Sequence, residues 1–147
     1  SADLRETSVI AGTEKYFEQC VEPMAETLEA TSIFDASKFE IEFGIITGCE
    51  CDCNLDVKST RFLPKKIGSK NMRFGFLIKP KTCAKYTKRV ILYAPSEENE
   101  NLESKETTKF GVSSEAAFLE TDDPLGSYRM VLYINGALAS DVKFEVR

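Results

Sequence analysis

The stretch "ITGCECDCNLD" sets Cys49, Cys51 and Cys53 at every second position, with Glu50 and Asp52 between them. Thiolates are nucleophiles and soft metal ligands, so this cluster is the first place to look for chemistry. On a strand, such spacing sends all three sulfurs to one face, about 7 Å apart at each step. In a loop they would gather round an ion, with Cys20 or Cys83 completing a four-thiolate set for zinc, or as a three-thiolate set for copper(I). Structural zinc sites draw on two ligand pairs, each with a few residues between its members, and the chain does not supply two. As disulfide partners, one of the three would join Cys83, in the loop after "FGFLIKP", and another Cys20; a bridge inside Cys-x-Cys is strained. Disulfide formation is the reading adopted, ahead of free thiols and of a metal site. With 5 cysteines, at most two bridges form within one chain and one thiol remains.

What is missing narrows the field as much. The chain has no histidine, which excludes Ser-His-Asp and Cys-His catalytic units, HExxH hydrolysis and mixed Cys/His zinc sites. Without tryptophan there is no indole platform for sugars or cations. Enzyme chemistry would fall to carboxylates, lysines or thiolates. The carboxylate candidates, Asp122 and Asp123 with Glu120 nearby, lack the Asp-x-Asp-x-Asp-Gly spacing of a calcium loop and read as a turn before Pro124. No glycine-rich phosphate loop occurs, and no cofactor is expected.

Charge gives the second candidate. Residues 1–57 carry a net −10, residues 58–89 a net +11 and residues 90–147 a net −6, within an overall −5. The middle block holds Lys58, Arg61, Lys65, Lys66, Lys70, Arg73, Lys79, Lys81, Lys85, Lys88 and Arg89 without one acidic residue. On one surface these would grip an anion: a nucleic acid, an acidic glycan or a lipid headgroup. The competing reading pairs them within the molecule, opposite Glu40, Glu42 or Asp56 on neighbouring strands, and is preferred. "RFGFLIK" has the look of a base-stacking strand, but Phe74 and Phe76 share a face with Met72 and Ile78 and read as core.

These residues need a scaffold. In "GTEKYFEQCVEPMAETLEATS" the apolar positions Tyr16/Phe17, Cys20/Val21, Met24/Ala25 and Leu28 recur every four residues, which predicts a helix with Thr13 as N-cap and Pro23 as a kink or second start. From Lys38 the period becomes two. "FEIEFGII", "MRFGFLI", "RVILYAP", "YRMVLYI" and "VKFEV" read as strands, the last two joined through the Asn135-Gly136 hairpin signal. Weaker strands are expected around 57–63 and 107–112, a polar loop at "SEENENLESKE" and a helical turn in "SSEAAFLETDDPLG". The expectation is a helical segment at 1–37, packed outside or along the edge of a β-sandwich of about seven strands at 38–147.

The segments "FGII", "STRFLPKKIGSKNMRFGFLI" and "LGSYRMVLYINGALASDVKFEV" together resemble an uncharacterised bacterial domain family with an immunoglobulin-like fold. The matching positions are Gly44, Ile45, Thr60, Arg61, Leu63, Pro64, Gly68, Phe74, Gly75, Phe76, Gly126 and Tyr128, over about 38–147. The resemblance implies an antiparallel immunoglobulin-like β-sandwich and transfers no activity and no site residue. The chain departs from that pattern in its clustered cysteines and its lysine density. The reading is therefore a binding or structural module that is not an enzyme, meeting a protein partner or, alternatively, an anion through the 58–89 block. A metal protein through Cys49, Cys51 and Cys53 is the other alternative. No apolar run approaches the roughly 20 residues of a membrane-spanning helix. The cysteine content leans towards an oxidising, extracytoplasmic space, periplasmic or secreted, with no basic-then-apolar leader pattern at the amino terminus.

Overall fold

A computed structural model describes residues 3–5, 25–47, 56–58, 62–63, 73–95, 101–119 and 123–146. In chain order the strands are β1 (Asp3–Arg5), β2 (Glu26–Thr27), β3 (Phe39–Thr47), β4 (Asp56–Lys58), β5 (Phe62–Leu63) and β6 (Arg73–Pro80). They continue with β7 (Ala84–Tyr93), β8 (Leu102–Glu103), β9 (Thr107–Phe110), β10 (Ser113–Phe118), β11 (Gly126–Ile134) and β12 (Ala137–Val146). One sheet runs β1-β10-β6-β3-β4; the other runs β2-β7-β11-β12-β5, with β8 and β9 also paired to β7.

The two sheets pack face to face, as period-two sequences with one apolar face require. Phe39, Phe74, Phe76, Ile78 and Ala117 come from the first sheet; Tyr86, Val90, Leu92, Met130, Leu132, Ile134, Phe144 and Val146 come from the second. Phe144 anchors the contact, its ring centroid 5.1 Å from that of Phe74, 5.4 Å from Phe43 and 5.8 Å from Tyr128. Each such pair adds about 0.5–1.5 kcal/mol beyond the area it buries. Leu77, Ser114 and Ala116 project from the other face of the first sheet and are buried as well, so the centre of that sheet is covered on both sides.

The Asn-Gly signal is realised. Ile134 pairs with Ala137, leaving Asn135 and Gly136 as a two-residue loop, both at positive φ, 51° and 81°. That is the backbone a type I′ hairpin demands. The turn is also docked: Asn135 Oδ1 accepts from the Thr87 amide, while the Asn135 amide donates to the Thr87 carbonyl. The Asn135 carbonyl in turn accepts from Thr31, so this hairpin end carries the segment that precedes β3.

Three expectations need correction. Residues 25–37, the described end of the predicted helical segment, hold no helix. Glu26–Thr27 runs parallel to the start of β7, its ladder closed by Glu26 N–H to Cys83 O and Leu28 N–H to Lys85 O. Helix periodicity is a weak force beside pairing onto an existing strand, and Pro23 removes a donor just upstream. Thr13 and the apolar positions from Tyr16 to Met24 lie outside the described residues. "SSEAAF" is strand β10 and not a helical turn, because its small residues fit between β1 and β6, a context that overrides the helix propensity of Ala and Glu. Within the acidic connection, Leu102–Glu103 pairs with Ile91–Leu92 as β8. Among the described residues, no helix is long and apolar enough to cross a membrane.

Candidate functional site

Strand β7 alternates buried and half-buried along its whole length. Ala84, Tyr86, Lys88, Val90 and Leu92 turn between the sheets; Lys85, Thr87, Arg89, Ile91 and Tyr93 turn outward. This parity separates the basic block. Lys88 is 1% exposed, and its ammonium crosses to the first sheet to donate to the Ser114 carbonyl at 2.8 Å. It belongs to a buried polar seam. Beside it the Tyr86 hydroxyl donates to Gly111 O at 2.7 Å and lies 2.6 Å from Ser113 Oγ, and Glu115 is 7% exposed. Lys88 is thus corrected from anion ligand to core residue; burying an ammonium demands such a partner.

The remaining cations of the block do not form one patch among the described residues. Lys58 lies on β4, Arg73 and Lys79 on β6, in the first sheet; Lys85 and Arg89 lie on β7, in the second; Lys81 is exposed in the turn between β6 and β7. Lys79 stands opposite Glu40 and reaches Glu42 at 3.8 Å, the intramolecular pairing expected from the acids of β3. Arg89 pairs with Glu103. Arg61, Lys65, Lys66 and Lys70 lie outside the described residues, as do Cys20, Cys49, Cys51 and Cys53. Cys83, at the end of the β6–β7 turn, is disulfide-bonded. No group of three or more cysteine or acidic residues is placed to hold a metal ion among the described residues. Phe74 and Phe76 are 3% and 0% exposed and belong to the core, not to a base-stacking surface.

The outward side chains of the second sheet form a different arrangement. Register sets Arg89 beside Tyr133, Ile91 beside Val131 and Tyr93 beside Arg129 across β7–β11. Across β11–β12 it sets Tyr133 beside Leu138, Val131 beside Asp141 and Arg129 beside Lys143. The Arg89 guanidinium lies over the Tyr133 ring at 4.7 Å, and that of Arg129 over Tyr93 at 5.2 Å. Each arginine therefore stacks on the tyrosine of the adjacent strand, with Ile91 and Val131 between the two stacks. Carboxylates fix both. Arg129 Nε and Nη2 donate to the two oxygens of Asp141 at 2.7 and 2.6 Å, a bidentate fork. That hydrogen bond holds the Asp141 carboxyl below its usual range and the Arg129 guanidinium above its own. Leu138, at the edge of the array, is 51% exposed.

Concavities open at both ends of β11. One, of about 520 Å³, is lined by Tyr93, Ala94, Ser127, Tyr128, Arg129, Lys143, Phe144 and Glu145. The other, of about 430 Å³, lies under the 26–38 segment against Ile134 and Asn135, and Glu26, Glu29 and Asp35 make its rim acidic. At the first, the Tyr128 hydroxyl donates to Pro124 O at 2.6 Å, and burial, aided by the nearby Asp123 charge, pushes its pKa up to about 12.

Sequence reasoning passed over Tyr93, Arg129, Tyr133, Leu138 and Lys143. The signal was present in "RVILYAP" and "YRMVLYI", where period two puts Arg89, Tyr93, Arg129 and Tyr133 on the face opposite Val90, Leu92, Met130 and Leu132. It was hidden because "VILYA" and "MVLYI" are apolar throughout, as in a strand buried on both faces.

No family model matches the chain, and no curated protein matches it. A solved structure, Pseudomonas fluorescens alkylpurine DNA glycosylase AlkC bound to DNA containing an abasic site analog, is similar with a TM-score of 0.40 and 12% identity, over 75% of this chain and 30% of that one. The matched protein is an enzyme, and the expectation that this chain is not one is withdrawn on that finding. At this level the likeness assigns no activity, ligand or residue role to the present chain.

Proposed function

We propose that this chain is an immunoglobulin-like binding module that meets a protein partner through the outer face of the β7–β11–β12 sheet. The strand order supports the fold. Of the seven strands with four or more residues among the described residues, the first, second and fifth (β3, β6, β10) share one sheet, and the third, sixth and seventh (β7, β11, β12) share the other. This is the division of strands A, B, E from C, F, G in the immunoglobulin plan, with β9 added beside the third. Tyr128, near the start of the sixth strand, bonds back to the backbone four residues upstream, as the tyrosine corner of such domains does.

The observation that carries the function is the pair of Arg–Tyr stacks on the solvent face, Arg89 over Tyr133 and Arg129 over Tyr93. Tyrosine and arginine dominate the energetic centres of protein interfaces. Here both arginines are held by carboxylates, so little side-chain entropy remains to be lost on docking. The carboxylates also balance the charge of the face, which favours a protein surface over a polyanion. A disulfide from Cys83 to one of Cys49, Cys51 or Cys53 would tie the β6–β7 turn to the segment after β3, and fits an extracytoplasmic setting.

A photo-crosslinking side chain placed at position 138, and separately at position 33, tests the reading. Ile33 is 80% exposed and lies on the segment before β3, outside strands β7, β11 and β12. A specific partner should be captured from 138 and lost with Arg89→Ala plus Tyr133→Ala. Capture that is equal from 33, or insensitive to those substitutions, would overturn it.

A further inference from the structure

The concavity at the Tyr93–Ser127 end of the face holds an excess of hydrogen-bond donors. Asp141 is taken up by the Arg129 fork, and Glu145 is engaged within the chain as well. Arg129 Nη1 stays outside the fork. Lys143, directly across from Arg129, has no hydrogen-bond or ion-pair partner among the described residues, nor have the Tyr93 and Ser127 hydroxyls. An ammonium, a guanidinium edge and two hydroxyls thus converge on a space of about 520 Å³, within the size range of small-ligand sites.

We infer that this groove binds a carboxylate. An anion is called for because the donors of the lining outnumber its acceptors, and Lys143, whose charge helps keep Asp141 ionised, makes no hydrogen bond or ion-pair contact of its own among the described residues. A monoanion fits better than a phosphate dianion, because Asp141 and Glu145 stand on the same strand and repel a second charge. Ala94, Tyr128 and Phe144 add apolar lining, so the carboxylate arrives on a short apolar or aromatic stem. Its source is either a free organic acid or an acidic side chain or terminus of a polypeptide; the chemistry recognised is the same.

Amide NMR titration of the full chain at fixed ionic strength tests this with benzoate, benzamide, phenyl phosphate and a short glutamate peptide beside its glutamine counterpart. Benzoate should give saturable shifts at Tyr93, Ser127, Arg129 and Lys143, phenyl phosphate weaker ones and benzamide none. Lys143→Met should weaken benzoate by roughly tenfold or more, the loss expected for one charged hydrogen bond. A glutamate peptide that binds tighter than benzoate, with the glutamine peptide silent, assigns a polypeptide source; the reverse order assigns a free acid. Equal shifts with benzamide, no saturable shift, or full affinity in Lys143→Met overturns the inference. Arg89→Ala should leave benzoate binding unchanged, so failure here and failure of the docking reading remain separable.

Discussion

On β7, Lys88 turns between the sheets, 1% exposed, and donates to the Ser114 carbonyl, whereas its neighbour Arg89 turns outward, lies over Tyr133 and pairs with Glu103. The two residues carry the same charge in consecutive positions and share a strand, a net +11 block and a backbone geometry. Only the parity of the pleat differs. The inner position must satisfy an ammonium where water cannot, so it uses a backbone carbonyl of the opposite sheet and becomes part of what holds the sheets together. The outer position is hydrated whether or not a partner comes, so its contacts add little to folding and remain available for recognition. Net charge along a sequence is blind to this, and for that reason Lys88 and Arg89, adjacent in the block, do not share one surface.

The sharpest break in the comparison is Lys88→Ala. It removes a buried four-carbon stem and leaves the Ser114 carbonyl without this donor, and should destabilise the fold by about 3–5 kcal/mol, read as a urea midpoint. Lys88→Met keeps most of the volume and should lose the polar contacts of the ammonium, the bond to the Ser114 carbonyl among them, at a cost of at least about 1–3 kcal/mol. If both variants fall within about 0.5 kcal/mol of the parent, the seam is not holding the sheets together.

Arg89→Ala should move stability by less than about 1 kcal/mol, since an exposed ion pair and an exposed cation–π contact are each worth a few tenths to one. Its effect should appear instead in partner capture from position 138. A variant that unfolds with Arg89→Ala would erase the division between the faces, and one that keeps full capture would move the docking site elsewhere.

The sequence showed the strands better than it showed their use. Phe39, Ile41, Phe43 and Ile45 against Glu40 and Glu42 announced β3 with its inward face, and Asn135-Gly136 announced the hairpin that joins β11 to β12. In β7, period two also places Lys88 in phase with Tyr86, Val90 and Leu92, so its burial is legible in the pattern, although the charge density of the block points the other way. The Arg–Tyr stacks were not legible, because they depend on which strands lie side by side. Arg129 and Tyr93 are far apart in the chain and meet only through the β7–β11 register. The end of the four-residue repeat, at Ala25 and Leu28, misled for the opposite reason: ladder pairing of Glu26–Thr27 onto β7 decides the conformation there.

Alkaline titration separates a buried hydroxyl from an exposed one. Burial, with Asp123 adding to it, raises the Tyr128 phenol from 10.0 to about 12. The fold therefore favours the neutral form. Its contribution is complete below pH 10.0 and is lost as pH rises through about 12, so stability should fall across that window. Tyr128→Phe should flatten the fall and remove a component near pH 12 from the tyrosinate absorbance. An unchanged profile would mean that the phenol ionises freely in the folded state.

The smallest effect is expected at Asp141, on the outer face. Its hydrogen bond to Arg129 lowers the carboxyl below 3.8, so the native state favours the charged form and the contribution is present above that value. It should vanish as pH falls through the native-state pKa. Because the pair faces water, salt should shrink this acid-limb slope, and Asp141→Asn should abolish it, with little change near neutrality. The same variant frees the Arg129 guanidinium, which would then offer its whole fork to a ligand in the adjoining groove. Benzoate affinity should therefore rise in Asp141→Asn even as the acid-limb slope disappears. An increase in affinity without that loss of slope, or the loss without the increase, would mean that the fork and the groove do not share the one guanidinium that the geometry gives them.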